Sequence, residues 1–548
     1  MSRRLNQSQI TVVLFFLFSL SFSSPVFSQT PSTSVVHTIE SIAVIGNTLL
    51  DDALIEEVTA PFIGKELSLY EIQKIADALT AVYREHRFFL AHAYLPGQEI
   101  KGGNVQIAVM EGTIGQVEII GNQFYQDDFI KKHFIQIDEA SGVQMDKIRR
   151  SAFLLNGYPD LKTELLFQPG TEAGTSDLQV TVKDNQPTHL ELDYNNFGAR
   201  VVSRHRFGLR FEIGNLIADG HLLSLRVVTG IPSNETASFF GEYTAPIGYT
   251  GKKGRFVYGQ SNFEVGQEFT PLGIHTKTES VGFYMSDLFL MTAEEEILGT
   301  VGFEANNMKQ TMLQGPFRGD RIRVLRGEAR YHRFSEQTRD FLSAQLSQGL
   351  GSFFGGTKNN SSQTSRMGAD GFFTKVNMDW TRVRLLPAPY FIPHPFSLLL
   401  LGAGQVSLNR LVVGEQFVAG GPDSVRGYSI GESLGDHGYR LSAELRVSPF
   451  PDPEKIQVAL FLDHGGTFTR GIGNTPNNDH ILTGVGFGVR FNFPGAVVLK
   501  EPVSETQEPG YILDYRFQIR ADFGFPMGER FASQGSGPVF YIKAIGRF

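Results

Sequence analysis

Most of the chain carries an alternating pattern of apolar and polar residues, which is typical of β-strands with one apolar and one polar face. The alternation is clearest in 439–448, where Leu441 and Leu445 alternate with Ser442 and Glu444. Sixteen such segments can be marked, beginning near His189, Arg206, His221, Ala237, Arg255, Thr278, Ile297, Arg321, Asp340, Phe372, Phe396, Tyr439, Lys455, Leu482, Ile512 and Val539. The pattern predicts an extended antiparallel β-structure.

The connections between these segments alternate in length. They are short after even-numbered segments, as at 215–220, and long after odd-numbered ones, as at 352–371 and 411–438. Bacterial membrane barrels combine an even strand number with short periplasmic turns and long external loops. A two-sheet sandwich would instead turn its charged faces outward, so we expect a 16-stranded transmembrane β-barrel over 187–548. The long turn at 495–511 breaks the parity and leaves a miscounted strand pair open.

Two similar segments precede the predicted barrel. The sequence Val-Ile-Gly-Asn at 44–47 and Ile-Ile-Gly-Asn at 119–122 each come before an acidic pair and a helical stretch. Both copies read strand, two helices, two strands, which indicates an internal repeat. In the first copy Ser68 and Glu71 form a possible capping box ahead of a helix with one apolar face. The sequence therefore predicts two small α+β domains.

The N-terminal residues have the features of a secretory signal peptide. Arg3 and Arg4 precede an apolar run at 10–22 and a small-residue site at 26–28. This run is shorter than the ~20 residues of a membrane-spanning helix, and no later stretch reaches that length without charge. The predicted organisation is a signal peptide at 1–28, a first small domain at 37–112, a second at 113–185 and the barrel at 187–548.

Composition and motifs exclude several classes of function. The net charge of -8 argues against a nucleic-acid partner, and 59 glycines, 46 phenylalanines and no cysteine suit a barrel. The 13 histidines form no His-Glu-x-x-His pair. Gly-x-Ser-x-Gly occurs at 427–431 and 431–435, but both matches lie in a long loop between predicted strands and not at the strand-to-helix turn of a nucleophile elbow. The glycine-rich 484–488 lies in an alternating segment, where strand glycine would ease barrel curvature. We therefore expect no enzyme activity, no cofactor and no metal.

The tandem small domains, placed after a signal peptide and ahead of a barrel, resemble polypeptide-transport-associated (POTRA) domains. This resemblance implies a periplasmic location, with an incoming chain adding as a strand along an exposed sheet edge. The sequence does not show which edge is free. The alternative that these domains only scaffold the barrel stays open.

Two motifs in the barrel region point to one family. Val-Arg-Gly-Tyr at 425–428 lies in the longest connection, and Phe-Leu-Asp-His-Gly at 461–465 lies in the next-but-one strand. Together they resemble the two-partner-secretion transporters of the haemolysin-activator type (ShlB/FhaC/HecB-like) in the BamA superfamily. The resemblance implies that this loop folds into the barrel and that its arginine pairs with an inward-facing aspartate. The marked residues are Val425, Arg426, Gly427 and Tyr428 in the loop, and Phe461, Asp463 and Gly465 in the lumen.

The residue types suit these roles. Apolar residues Leu460 and Leu462 face lipid if Asp463 faces the lumen. The planar fork of Arg426 can grip a carboxylate with two bonds, which lysine would not reproduce. The terminal Phe548 resembles the signal by which barrels are recognised for assembly, and it equally suits an interfacial aromatic.

The resemblance implies an outer-membrane translocator of a Gram-negative bacterium. Its partners would be a secreted exoprotein with an N-terminal secretion domain, the lipid bilayer and the barrel-assembly machinery. Known members carry an N-terminal plug helix, for which 29–36 is too short, so gating would fall to the 425–428 loop. A barrel-assembly insertase of the same superfamily, usually with three or more periplasmic repeats, and a plain diffusion porin are the alternatives.

Overall fold

The computed structural model describes residues 36–135, 144–172, 174–231, 236–292, 294–358, 363–388, 396–450, 455–471, 478–493, 516–528 and 537–548. The predicted signal peptide, residues 29–35 and the 495–511 turn lie outside these residues. The chain divides into two compact units. The first comprises residues up to 86 together with 91–111, and the second comprises 87–90 and 112–548.

The first unit is a small α+β domain. Its elements are β1 (Val36–Thr38), β2 (Ser41–Ile45), α1 (Asp52–Thr59), β3 (Glu66–Ser68), α2 (Leu69–Glu85), β4 (His92–Tyr94) and β5 (Asn104–Met110). The main sheet has the order β2-β5-β4, with β2 and β5 parallel, and the short β1 and β3 pair separately. The predicted capping box is present, since the Ser68 amide donates to Glu71 at 2.8 Å and the Glu71 amide donates to the Ser68 hydroxyl. It starts α2, whose apolar face is buried.

The second unit begins with a domain of the same design. Its elements are β6 (Thr113–Ile120), α3 (Asp127–Ile135), α4 (Met145–Asn156), β7 (Leu161–Pro169) and β8 (Thr175–Asp184), with sheet order β6-β8-β7. The repeated glycines have matching roles. Gly46 and Gly121 both have positive φ, and a Cβ on either would stand 2.4 or 2.6 Å from a carbonyl oxygen of the central strand. The repeat in sequence is therefore a repeat in structure.

The remaining strands close into a 16-stranded antiparallel barrel, in which the last strand pairs with the first. They are β9 (Thr188–Asn195), β10 (His205–Gly214), β11 (Leu222–Ile231), β12 (Thr236–Pro246), β13 (Lys253–Val265), β14 (Ile274–Met291), β15 (Glu295–Met312), β16 (Gly315–Phe334), β17 (Thr338–Gly349), β18 (Thr374–Leu386), β19 (Phe396–Ser407), β22 (His437–Val447), β23 (Ile456–Phe468), β24 (His480–Phe493), β25 (Arg516–Pro526) and β26 (Val539–Arg547). Within the β19–β22 connection, β20 (Phe417–Ala419) pairs with β21 (Ser433–Gly435).

The strand count from the sequence is confirmed. Each of the sixteen predicted segments coincides with one barrel strand. Strands β24 and β25 are direct neighbours, with Phe493 opposite Phe517, so no additional strand pair separates them in the barrel. The parity argument therefore holds despite the long turn.

Side chains alternate between the two faces of the barrel wall as the sequence pattern predicts. Leu441 and Leu460 are more than half exposed on the outer face, whereas Glu444 and Asp463 on the intervening positions are buried. An apolar outer band contacts lipid in barrels of this kind. Because these inward charges are buried, another part of the protein must cover them inside the lumen.

The second small domain packs against the short β10–β11 and β12–β13 turns of the barrel. The Gln126 amide donates to Asp219 at 2.9 Å, and Arg150 donates to the carbonyl oxygen of Thr250 at 3.2 Å. The aromatic ring of Tyr249 stands edge-on to His133 of α3, 5.2 Å between centroids. No helix among the described residues is both long and apolar enough to cross a membrane.

Candidate functional site

The connection between β19 and β22 folds into the barrel, as the motif resemblance implied. Val425, Arg426 and Tyr428 at its tip are each at most 3% exposed. Val425 and Tyr428 form an apolar cluster with Ala419 of the same connection and Leu482 of β24. An external loop would leave these residues in solvent, so the tip is docked against the inner wall.

Arg426 and Asp463 make the contact that the sequence predicts. The Nε and Nη2 atoms of the guanidinium donate to the two carboxylate oxygens at 2.7 and 2.8 Å, and the backbone amide of Arg426 adds a third bond at 3.0 Å. The guanidinium lies over the ring of Phe461, 3.4 Å from its centroid. Two lumenal motif residues therefore receive the loop arginine directly, one by charge and one by its aromatic face.

The wall supplies further charged groups that the motifs did not indicate. Arg426 Nη1 donates to Glu444 of β22, and Ser442 donates to Asp463 at 2.6 Å. Arg490 bonds Glu444 at 3.1 Å and Asp522 at 2.6 Å. The inward direction of Glu444 followed from the alternation, but its proximity to Arg426 depends on the register that sets Glu444 opposite Phe461.

The pKa of Arg426 lies above its ordinary value. Burial by itself would lower this pKa, but hydrogen bonds and charge attraction from Asp463, followed by those from Glu444, outweigh it. The guanidinium is therefore charged at every physiological pH. The docked tip does not release by titration of its arginine.

Glycines bring the tip close to the wall. Gly427 has φ +99°, and a Cβ there would stand 2.8 Å from the backbone of Phe525. A Cβ on Gly524 of β25 would stand 2.4 Å from the Gly427 nitrogen. Gly465 of the lumenal motif lies under Val425, whose Cγ2 would be 3.0 Å from an added Cβ. Gly427 and Gly524 need to be glycine because two backbones approach each other there without room for a side chain.

Tyr428 and Tyr541 complete the docking. The Tyr428 hydroxyl donates to the carbonyl oxygen of Thr483 at 3.1 Å and accepts from the amide of Gly528 at 3.2 Å. Tyr541 of β26 accepts from the Gly427 amide at 3.1 Å and donates to the Tyr428 carbonyl. Each buried polar group of the tip named here thus has a partner from the wall.

Comparison with known families decides what this architecture is. Residues 174–491 match the family of the haemolysin secretion/activation protein ShlB/FhaC/HecB, and residues 37–112 match the ShlB-type POTRA domain. The chain belongs to the ShlB/FhaC/HecB family. It is therefore an outer-membrane transporter of the two-partner-secretion type, and POTRA domains are periplasmic in this family. This supports a translocator over the insertase and the porin.

Two named relatives and one solved structure are similar to this chain over most of its length, at low sequence identity. The heme/hemopexin transporter protein HuxB of Haemophilus influenzae (strain 86-028NP) is 20% identical over 459 residues, which are 81% of this chain and 79% of HuxB. The outer membrane transporter CdiB of Dickeya dadantii (strain 3937) is 21% identical over 433 residues, 74% of this chain and 72% of CdiB. The solved CdiB from Escherichia coli matches with a TM-score of 0.72 at 17% identity, covering 96% of this chain and 93% of that chain.

In this member of the ShlB/FhaC/HecB family, Phe548 follows β26 and lies where β26 pairs with β9 to close the barrel. Its amide donates to the carbonyl oxygen of Leu190 at 2.8 Å, and the Leu190 amide donates back at 3.0 Å. The Phe548 ring stands edge-on to Phe517 and is partly exposed. Among the residues that the structure describes, no group of three or more histidine, aspartate or glutamate side chains is arranged to hold a metal ion.

Proposed function

We propose that the tip Val425–Tyr428 is the moving part of the transporter, and that its release opens the lumen to an unfolded exoprotein. The observation that carries this proposal is the buried side-on pair between Arg426 and Asp463. Removing one partner of a buried ion pair destabilises by about 3–5 kcal/mol, so the docked tip is a defined state of the loop. A defined docked state is what a gate requires.

The cargo would first meet the periplasmic domains, proposed to span 37–112 and 113–185 ahead of the barrel at 187–548. In the sheet orders β2-β5-β4 and β6-β8-β7, the outer strands have one side without a strand partner in their sheet. Main-chain hydrogen bonds along such an edge bind an extended chain with little demand on its sequence. This suits a secreted exoprotein whose N-terminal secretion domain arrives unfolded.

We further propose a transport role without catalysis. Export would be driven by folding of the cargo outside the cell, because the chain contains no nucleotide-binding P-loop. Phe548 would act before transport, as the C-terminal signal read by the barrel-assembly machinery. Its position at the closing strand pair supports a role in barrel formation.

Substitution of either partner of the central pair tests the gate. We expect Arg426→Ala and Asp463→Ala each to reduce secretion of the partner exoprotein at least ~10-fold, the effect expected from losing a buried pair. Surface amounts of the cargo are measured in cells that express each variant. Heat-modifiable migration of the barrel on gels checks that it is assembled.

The chain offers a matched control. Arg382 of β18 and Asp340 of β17 also form a side-on pair, with bonds of 2.6 and 3.1 Å, but this pair is partly exposed and does not contact the tip. Arg382→Ala should secrete normally. Wild-type secretion by both Arg426→Ala and Asp463→Ala would refute the proposed gate.

A further inference from the structure

A second charged residue of the same connection is buried far from the tip motif. Glu415 lies near the start of the connection, and its side chain is 6% exposed. One carboxylate oxygen accepts from Arg326 of β16 at 3.0 Å, and the other lies 2.8 Å from the Lys375 ammonium of β18. Both oxygens are thus paired with cations from two different strands.

The backbone around Glu415 is held as well. Its carbonyl oxygen accepts from Lys375 at 2.9 Å and from Gln405 at 3.1 Å. Just before it, Leu411 and Val412 form an apolar cluster with residues of the barrel wall, including Val324, and all three are at most 1% exposed. We name residues 411–416 the incoming limb. It is fixed by charge, hydrogen bonds and packing.

The limb and the tip are held by separate sets of residues with opposite polarity. Glu415 places an acid of the loop on bases of β16 and β18, strands that precede the connection. Arg426 places a base of the loop on acids of β22 and β23, strands that follow it. Among the described residues, the groups that bond Glu415 and those that bond Arg426 are different, so the two contacts share no residue.

We propose that Glu415 is a positioning residue that keeps the incoming limb on β16 and β18 when the tip is released, so that the connection opens as a hinge. This rests on the proposed gate, since it assumes that the tip moves. The tip has to leave the lumen and return to it in every cycle of transport. A limb that stays docked would bring Arg426 back to the same partner, Asp463. The contacts of Glu415 with Arg326 and Lys375 would therefore restrict where the released tip can move.

The absence of cysteine from the chain allows two reporters on the barrel wall. Val324→Cys lies beneath the incoming limb, and Leu482→Cys lies beneath the tip. Each is introduced alone into the full-length protein, and its labelling rate with a membrane-impermeant maleimide is measured. Neither reporter belongs to the β19–β22 connection. Val324 packs against Ala369 and Phe373 of the β17–β18 connection as well as against the limb, so the limb is read from the change in labelling relative to Val324→Cys alone.

The proposed hinge predicts a different labelling pattern for the tip variant and for the limb variant. With Arg426→Ala, we expect labelling of Leu482→Cys to rise at least ~10-fold while Val324→Cys stays protected, because a buried pair is lost only at the tip. With Glu415→Gln, Val324→Cys should become labelled. If Arg426→Ala exposes both reporters equally, or if Glu415→Gln leaves Val324→Cys protected, the positioning role of Glu415 is wrong. If Arg426→Ala exposes neither reporter, the proposed gate itself fails, and the hinge with it.

An exchange of charges separates the pairing from a packing defect. Glu415→Lys and Lys375→Glu should each expose Val324→Cys. The double variant restores one of the two pairs of opposite charges, because Arg326 still faces the substituted position 415, and it should protect Val324→Cys better than Glu415→Lys alone. A defect in packing or barrel assembly would not be rescued by the second substitution. Failure of the double variant to protect Val324→Cys better than Glu415→Lys alone, with heat-modifiable barrels in every case, would overturn the proposal.

Discussion

The carbonyl oxygen of Arg426 lies directly against Gly484 of β24, so closely that a Cβ on this glycine would stand 1.8 Å from it. The sequence pattern had suggested that the glycines at 484–488 ease the curvature of the barrel. The structure gives Gly484 a more specific reason, because no side chain fits between this strand and the docked tip. The residues of the barrel wall therefore have to fit the docked loop on the inner face as well as the lipid on the outer face.

Gly484→Ala should therefore displace the tip while leaving the barrel assembled. The added methyl group overlaps a backbone atom, and overpacking of this kind costs about 1–3 kcal/mol or forces the loop to move. We expect larger single-channel conductance in planar bilayers and reduced secretion. Gly327→Ala is the control, since its Cβ would meet nothing within 4 Å. Equal conductance of the two variants would contradict the assigned contact.

Arg426→Lys should behave like Arg426→Ala in secretion rather than like the wild type. Lysine keeps the positive charge, but it cannot form the two parallel bonds to Asp463 or lie flat over Phe461. Secreted cargo is measured for all three chains at equal barrel amounts. Near-normal secretion by the lysine variant would show that charge alone holds the tip.

Tyr541→Phe should loosen the tip from the last strand. The hydroxyl serves both the Gly427 amide and the Tyr428 carbonyl, and leaving a buried backbone group unbonded costs about 1–3 kcal/mol. We expect faster maleimide labelling of Leu482→Cys in this background. Tyr439→Phe removes a hydroxyl that contacts His464 instead, at 3.0 Å, and should leave the labelling rate unchanged.

Acidification should destabilise the second periplasmic domain through His133. Burial lowers the pKa of this histidine from its ordinary value of 6.5, and the bond to the Phe129 carbonyl opposes this only in part. The folded domain therefore keeps His133 neutral, while the unfolded chain takes up a proton near pH 6.5. Stability is complete above that pH and falls as the pH decreases from 6.5 towards the lowered pKa.

Hydrogen exchange of the full-length protein in detergent measures this effect. After correction for the intrinsic pH dependence of exchange, peptides from α3 and α4 should lose protection between pH 7 and pH 5. His133→Gln should flatten this dependence. The pKa of Tyr158, whose hydroxyl lies 3.2 Å from His133, is raised to about 12 by burial, so tyrosine ionisation does not contribute in this range.

The amino-acid sequence alone determined the strand number, the face of each inward residue and the tandem repeat. The strand faces repeat over two residues, and the tandem repeat is visible as matching short motifs at 44–47 and 119–122, so local patterns are enough to reveal them. It also identified both ends of the central contact, Arg426 and Asp463, because each lies in a recognisable motif. The capping box at Ser68 is another local feature that the structure reproduces.

Only the tertiary structure decided what surrounds that contact. Glu444, Asp522 and Arg490 reach Arg426 or its partners through the register of β22 to β25. Tyr541 reaches the neighbouring Gly427 across 114 residues of sequence. The pairing of Glu415 with Arg326 and Lys375 also depends on where the connection folds back. Register and loop path arise from the closing of the whole barrel. No short stretch of sequence encodes them, because the atoms that meet there belong to distant parts of the chain.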